Sequence, residues 1–223
     1  MDKSETIIFD MDGVIVDSEP LHERAFLDVF AKIGYGQTHG MNFEAYLGRS
    51  DRALWLDFID RHHPPQSLDH LLAWKQQRLI ELLRQLKPIF PPVQSLLEKL
   101  HRRYRLALAS GSAYAVIDEV LAMQNLRRFF EVVVSVQDVP RGKPAPDVFR
   151  RTADLLQVAP SQCWVIEDSA AGVEAALAAG MRVIAITNTL PREKLARATR
   201  VVRNYAEIEQ GLLPAAASVC EPS

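Results

Sequence analysis

Several polar side chains of the sequence lie at the ends of strand-like apolar runs or in the loops between them. They are Asp10, Asp12, Ser110, Lys143, Glu167 and Asp168. Carboxylates that converge on one place repel one another unless a cation joins them, and hard oxygen ligands without a neighbouring His or Cys favour Mg²⁺ over zinc. A Lys and a metal ion that neutralise phosphate oxygens, with a Ser hydroxyl as donor, are typical of phosphoryl transfer. These residue types therefore predict a phosphate site.

Asp10 and Asp12 alternate along the chain, which places both carboxylates on one side if the backbone stays extended. One of them can attack phosphorus without a base, because it is already charged, while the other handles the proton of the leaving group. Gly13 and Gly111 allow backbone N–H groups to approach the phosphate closely. Each feature alone also has a purely structural explanation, since acidic residues often cap helices or turns. Their repetition at successive strand ends favours catalysis.

The elements that must position these side chains alternate between strand and helix. Short continuous apolar runs predict buried strands at residues 6–9, 106–109, 132–136, 164–166 and 182–186. Apolar residues at helical spacing predict helices at residues 92–103, 115–126, 147–156 and 170–179. Such alternation predicts an α/β fold, a doubly wound parallel sheet with a Rossmann-like core, and ligands bind beyond the carboxyl ends of its strands.

One long segment between the first two predicted strands carries no strand-like run. Its amphipathic patterns predict helices at residues 21–33, 52–61 and 68–86. Pro20 marks the entry to this segment and Pro88 the exit. We therefore expect an inserted all-helical cap domain at residues 17–88, and a core domain at residues 1–16 and 89–223.

The composition excludes several classes of function. The 223 residues include 26 Lys and Arg against 28 Asp and Glu, a formal net charge of −2, so no cationic field exists to hold nucleic acid or an anionic membrane surface. No apolar stretch is long enough for a membrane-spanning helix, and charges interrupt the N-terminal residues. We expect a cytoplasmic protein, with Cys163 a buried small hydrophobe and Cys220 an idle thiol.

Four motifs together resemble those of the haloacid dehalogenase superfamily of aspartyl phosphotransferases. In chain order they are FDMDGVIVDS at residues 9–18, ASGS at 109–112, GKPAPD at 142–147 and IEDSAAG at 166–172. The resemblance covers nearly the whole chain. The helical insertion is similar to the C1-type cap of the β-phosphoglucomutase-like and phosphatase subgroup. The resemblance is specific for the superfamily but not for the substrate.

The resemblance implies a role for each core residue. Asp10 is the nucleophile that becomes an aspartyl phosphate, and Asp12 is the general acid and base. Ser110 holds the phosphoryl group, and Lys143 bridges it to Asp10. The Mg²⁺ ligands that it implies are Asp10, the carbonyl of Asp12, Asp168, and Glu167 directly or through water.

In the cap, residues 47–52 resemble the loop that selects the substrate, which implies substrate contacts for Gly48, Arg49 and Arg52. His22 and Lys75 lie where mutase-like members carry a His and a Lys that serve the site. The alternative for both is a surface position on an amphipathic helix. With Gly13 and Gly111 of the core, these residues complete the predicted substrate-binding set.

The cap loop departs from the pattern of the sugar-phosphate mutases. Those enzymes carry a Lys just before the loop Gly and an Arg three positions after it, where this sequence has Leu47 and Asp51. The loss of both cations favours hydrolysis. We therefore predict a monomeric, Mg²⁺-dependent phosphatase acting through an aspartyl phosphate on a small phosphorylated metabolite, such as a sugar phosphate.

Three alternatives stay open. The first is a hexose-phosphate mutase of the β-phosphoglucomutase type, which uses the same intermediate. The second is a binding or regulatory protein that keeps the phosphate site without turnover. The third, a dehalogenase, fits poorly because dehalogenases lack much of this acidic set. A dinucleotide-binding module fits less well still, since no G-x-G-x-x-G follows the first strand.

Overall fold

Six parallel strands form one sheet in the computed structural model, which describes residues 5–213. The order across the sheet is β3-β2-β1-β4-β5-β6. The strands are β1 (Thr6–Phe9), β2 (Arg105–Ser110), β3 (Val132–Ser135), β4 (Cys163–Glu167), β5 (Arg182–Ile186) and β6 (Arg200–Val202). The reversal of strand order beside β1 is the topological switch point of a doubly wound sheet. The predicted α/β class with a Rossmann-like core is confirmed.

Helices cover both faces of the sheet. In chain order they are α1 (Glu19–Lys32), α2 (Asp51–His62), α3 (Leu68–Leu86), α4 (Val93–His101), α5 (Tyr114–Ala122), α6 (Asp147–Leu156), α7 (Ala170–Ala178) and α8 (Tyr205–Leu212). Alternate residues of β1 serve opposite faces: Ile7 and Phe9 pack with α4, α5 and α8, while Ile8 packs with α6 and α7. Among residues 5–213, no helix has both the length and the apolar composition that a membrane crossing requires.

The strand predictions differ from the structure at β3 and β6. Val136 does not extend β3 but begins a 3-10 turn, because the Asp138 carboxylate accepts the N–H of Ser135 and turns the chain. Strand β6 was not predicted, because it is a three-residue edge strand whose first residue, Arg200, is exposed. Cys163 is buried as predicted, while Cys220 lies outside the described residues.

The segment between β1 and β2 is helical and has an apolar cluster of its own. Phe26 and Phe30 of α1 pack against Trp55 and Phe58 of α2, with ring centroids 4.7–5.3 Å apart between the two helices. The start of α1 and the end of α3 instead join the core cluster on one face of the sheet, through residues such as Leu21 and Leu83. The insertion is therefore anchored to the core at both ends.

The two connections of this insertion run side by side. The N–H of Asp17 donates to the carbonyl of Pro88 at 2.8 Å, and Val16 forms an antiparallel bridge with Ile89. A segment that leaves and re-enters the core through one paired crossing can move as a unit about it. On this pairing we propose the domain boundaries at 16/17 and 88/89.

Candidate active site

The site lies where the three central strands end. Strands β2, β1 and β4 are neighbours and parallel, with Phe9 paired to Leu108 on one side and to Ile166 on the other. Their carboxyl ends therefore meet at one edge of the sheet. Asp10 follows β1, and its N–H continues the ladder to the carbonyl of Ile166 at 2.9 Å. Ser110 ends β2 at the same edge, as Glu167 ends β4.

A buried lysine joins two carboxylates from different strands. Lys143 Nζ donates to Asp10 Oδ1 at 2.7 Å and to Glu167 Oε1 at 2.6 Å. Burial opposes a charge on Lys143, but the two carboxylates raise its pKa well above the ordinary value. Lys143 therefore stays an ammonium beside Asp10.

Asp10, Glu167 and Asp168 form a buried group that can hold a cation. Their nearest carboxylate oxygens all lie within 4.8 Å of one another. Burial raises the pKa of Asp10 and of Asp168 well above the ordinary value, and the neighbouring carboxylates add to this. Asp168 Oδ2 is buried and has no hydrogen-bond partner, a cost that a hard cation would remove. The residues present therefore fit a divalent metal ion.

Glu167 differs from the other two carboxylates because protein donors already occupy it. Its Oε1 accepts from Lys143, and its Oε2 accepts from the N–H groups of Asp168 and Ser169 and from the Ser169 hydroxyl, at 2.9–3.0 Å. Of the two predicted ways for Glu167 to bind a metal, this occupancy favours contact through water.

Gly13 allows the loop after β1 to pass directly over Asp168. Its φ is +73°, and a Cβ there would lie 1.8 Å from Asp168 Oδ2. No side chain fits in that space, and the left-handed backbone favours glycine as well. Gly13 thus lies against the candidate metal site, and it is not among the residues that line the cavity described below.

The Asp12 carboxylate points away from the acidic group, towards hydroxyls and the insertion. Its Oδ1 accepts from Ser18 Oγ at 2.6 Å and lies 3.2 Å from His22 Nε2, while Oδ2 accepts from Ser112 Oγ at 2.9 Å. Burial alone would raise the pKa of Asp12, but His22 and the hydroxyls lower it to about 2. Any metal contact of Asp12 must therefore use its carbonyl, as the resemblance implies.

Ser110 is fully buried beneath this carboxylate. Its Oγ accepts from the N–H of Ser112 at 3.0 Å and lies 3.5 Å from Asp12 Oδ2. The hydroxyl is therefore held by its neighbours at the edge where Asp10 also emerges.

His22 connects Asp12 to the helices of the insertion. Lys75 Nζ lies 2.6 Å from His22 Nδ1 and 2.7 Å from both carboxylate oxygens of Asp51. Burial and the Lys75 charge oppose a proton on His22, but Asp12 and Asp51 raise its pKa to about 9. Nδ1 accepts from Lys75 only while the ring is neutral; once protonated, it faces Asp51 Oδ1 at 3.6 Å.

A cavity of about 410 Å³ lies between the sheet edge and the insertion. Of the residues predicted at the site, its lining contains Asp10, Asp12, His22, Gly48, Arg49, Gly111 and Lys143. Three predicted substrate-binding residues, Gly13, Arg52 and Lys75, do not line it. Arg52 is exposed outside the cavity, and Lys75 is fully buried because Asp51 and His22 cover its ammonium. Lys75 therefore does not reach the cavity in this structure, and its predicted contact with the substrate stays a prediction.

The cavity also contains polar residues that sequence reasoning missed. Ser112 and Asp51 are two of them; Asn188 and Thr189 follow β5 and are two more. Asn188 donates to the carbonyl of Gly13 at 2.8 Å, and the Thr189 side chain opposes the rise in the pKa of Asp168. The sequence could have indicated Asn188 and Thr189, because they are polar residues that follow a buried strand, as Asp10 and Asp12 do after β1.

Comparison with known proteins agrees with this geometry. Residues 5–180 match the family of haloacid dehalogenase-like hydrolases. The chain belongs to this family. The predicted superfamily is confirmed, and the hydrolase is an enzyme whose named relatives include phosphatases.

Two of those relatives come from Escherichia coli. The hydrolase is 33% identical to fructose-1-phosphate phosphatase YqaB over 80% of this chain and 94% of that protein. It is 34% identical to hexitol phosphatase B over 80% of this chain and 82% of that protein. A solved structure of a CbbY variant from Rhodobacter sphaeroides with xylulose-1,5-bisphosphate matches with a TM-score of 0.82 and 26% identity, covering 91% of this chain and 95% of that one.

Proposed function

We propose that this hydrolase is a Mg²⁺-dependent phosphatase that removes phosphate from a small phosphorylated sugar through an aspartyl-phosphate intermediate. The observation that carries the proposal is the buried Lys143 ammonium, 2.7 Å from Asp10, beside the unpartnered Asp168 oxygen. A carboxylate nucleophile, a cation for the phosphate and a metal-binding oxygen therefore share one edge of the sheet. The named sugar phosphatases among the relatives support this proposal.

The residues that would hold Mg²⁺ are Asp10, Asp168 and the carbonyl of Asp12, with Glu167 through water. When bound, the ion supplies positive charge to the phosphoryl oxygens and keeps the buried carboxylates ionised. Lys143 would supply a second positive charge, since its ammonium lies 2.7 Å from Asp10.

The reaction would proceed in two halves. In the first, Asp10 attacks phosphorus, the bond from phosphorus to the sugar oxygen breaks, and Asp12 donates a proton to that oxygen. In the second, water attacks the aspartyl phosphate, Asp12 takes the proton of that water, and Asp10 is regenerated as phosphate leaves. The lowered pKa of Asp12 keeps its carboxylate ionised, which is the form that the second half needs, but it also makes this carboxylate a weak base. The Ser110 hydroxyl and Lys143 hold the phosphoryl oxygens in both halves.

Phosphate release from a panel of sugar phosphates tests this function. The panel includes fructose 1-phosphate and hexitol phosphates, each with millimolar Mg²⁺ and with a chelator. We expect release that needs the metal and that falls at least ~10³-fold in Asp10→Asn, because the nucleophile is lost. Asp60→Asn, the same chemical change at an exposed position of α2, is the control and should keep full activity.

No release from any ester, or equal release by wild type and Asp10→Asn, would reject the proposal. Metal-dependent binding of a sugar phosphate without turnover would instead favour the binding-protein alternative.

The mutase alternative depends on one observation, the link from Asp12 through His22 to the insertion. Incubation with β-glucose 1-phosphate and a trace of glucose 1,6-bisphosphate tests it. A mutase accumulates glucose 6-phosphate faster than inorganic phosphate, whereas we expect inorganic phosphate to dominate. The cytoplasmic location and the monomeric state stay predictions, and size-exclusion chromatography tests the second.

A further inference from the structure

The wall of the cavity that the insertion contributes is acidic. Most of the charged residues on this wall, and on the chain segment that joins it to β1, are carboxylates. They are Asp17, Glu19, Glu23, Glu44 and Asp51. Arg49 lies in the same part of the described lining and is exposed at the mouth with its guanidinium over Tyr46. His22 also lines this wall, but its ring lies between the carboxylates of Asp12 and Asp51. Lys143 lies on the opposite wall, where it is committed to Asp10 and Glu167.

Asp51 also keeps the ammonium of Lys75 from contact with the cavity. Lys75 is fully buried, and both oxygens of Asp51 lie 2.7 Å from its ammonium, whereas the Asp51 side chain is 30% exposed. The insertion therefore presents the carboxylate to the cavity and hides the ammonium behind it. A ligand that needs positive charge on this wall meets the negative partner of the pair first.

The position of Asp51 places it within reach of the far end of a substrate. One imidazole ring separates it from Asp12, since His22 Nε2 is 3.2 Å from Asp12 Oδ1 and His22 Nδ1 is 3.6 Å from Asp51 Oδ1. Asp10 and Asp51 line the same cavity, so a phosphosugar whose phosphate lay at Asp10 would have its other end in the part of the cavity that Asp51 lines.

We propose that Asp51 is a specificity-determining residue that restricts this site to substrates with a single phosphate. The inference rests on the proposed phosphatase function. A second phosphate, with a charge of about −1.5 to −2 near pH 7, would face Asp51 with its compensating ammonium already occupied. The hydroxyls of a neutral sugar or polyol chain can instead donate hydrogen bonds to the carboxylates of this wall.

The fold by itself does not exclude a second phosphate. The CbbY structure, which matches over 91% of this chain, contains xylulose-1,5-bisphosphate. A preference of this hydrolase for substrates with one phosphate over substrates with two must therefore come from the side chains on the cavity wall. On the wall that the insertion contributes, Asp51 both lines the cavity and neutralises the buried ammonium of Lys75.

Competition experiments test the role of Asp51. Fructose 1-phosphate and fructose 1,6-bisphosphate are measured as competitors of the best substrate of the phosphate-release panel, so that each yields an inhibition constant. For wild type we expect the monophosphate to bind at least ~10-fold more tightly than the bisphosphate. In Asp51→Asn, the freed Lys75 should improve bisphosphate binding and reduce this ratio at least ~5-fold.

A double variant keeps the test valid if the single one does not fold, because Asp51→Asn leaves a buried ammonium without a carboxylate. Asp51→Asn with Lys75→Met removes both charges, so the repulsion disappears without a new attraction. We expect a ratio between those of wild type and Asp51→Asn. Asp60→Asn should leave the ratio unchanged.

A wild-type preference for the bisphosphate would overturn the inference. An unchanged ratio in every folded Asp51 variant would also overturn it. Either result, obtained with an enzyme that releases phosphate in an Asp10-dependent manner, leaves the proposed function standing. Absence of release from the whole panel rejects the function itself.

Discussion

At the scale of single residues, Lys143 balances the charge of the buried edge. It is the ammonium within hydrogen-bond distance of both Asp10 and Glu167. Removing one partner of a buried ion pair leaves an uncompensated charge, which typically costs about 3–5 kcal/mol. We therefore expect Lys143→Met to lower the free energy of unfolding by about 3 kcal/mol without metal.

Urea unfolding of Lys143→Met with and without Mg²⁺ measures this loss. Added Mg²⁺ should recover part of it, because the ion also compensates the carboxylates. Lys99→Met is the control: its exposed pair with Glu209 should contribute about 1 kcal/mol or less, independent of the metal. A loss in Lys143→Met no larger than that of the control would contradict the expectation.

The chemistry of the core residues could be predicted because each lies at the end of a strand or in a loop beyond one, and parallel strands end at one edge. The pairing of Asp51 with Lys75 could not be predicted in the same way. It depends on how the first residue of α2 meets the middle of α3, and helical periodicity does not determine that contact. For the same reason, Lys75 was expected at the substrate but is buried behind Asp51.

At the scale of elements, the loop before α2 packs directly on the start of α7. Gly48 has φ +73°, and a Cβ there would lie 2.1 Å from Ser169 Oγ. That hydroxyl accepts from the N–H of Gly172 to cap α7 and donates to Glu167. A side chain at residue 48 would therefore push the loop away from the helix cap beside the candidate metal site.

We expect Gly48→Ala to lower kcat/KM by ~10–100-fold, as a misplaced positioning loop does. Gly34→Ala is the matched control, because Gly34 has φ +87° but nothing lies within 4 Å of its Cβ position. In both variants the positive φ should lower the free energy of unfolding by a comparable amount, about 1–2 kcal/mol. Thermal melting should show similar destabilisation, while steady-state kinetics should show a loss of activity in Gly48→Ala alone. Equal activity of the two variants would contradict a positioning role for Gly48.

Most elements follow from patterns in the sequence, and the exceptions have local causes. The long helix α3 is amphipathic over its whole length, so its bounds match the predicted residues 68–86. Helix α5 ends at Ala122, earlier than its pattern predicts, because Gln124 and Asn125 adopt positive φ within a 3-10 segment. Apolar periodicity continues across that kink, so it could not reveal where the helix stops.

At the scale of the whole molecule, the net charge of −2 conceals an uneven distribution. Asp10, Glu167 and Asp168 are buried together, with one ammonium, Lys143, hydrogen-bonded to two of them. Without a metal ion, folding must therefore bury these negatively charged groups together, away from water. We therefore expect the stability of the whole protein to depend on pH and on a divalent cation.

The sign of this coupling follows from the raised pKa values of Asp10 and Asp168. Above the ordinary carboxyl pKa of about 4, the folded protein binds protons that the unfolded chain has already released. Without metal, these two groups therefore lose stabilising free energy as pH rises from about 4 through their raised pKa values. A divalent cation needs the ionised carboxylates, so protons compete with it less as pH rises.

We therefore expect the increase in melting temperature on adding Mg²⁺ to be larger at about pH 8 than at about pH 5. Comparing melts with and without the ion at each pH cancels the other groups that titrate, including His22. Asp168→Asn should lose most of the increase at both pH values, because it removes the carboxylate whose Oδ2 has no protein partner. Asp60→Asn should keep the increase. A Mg²⁺ effect of equal size at both pH values would show that the ion does not bind these buried carboxylates.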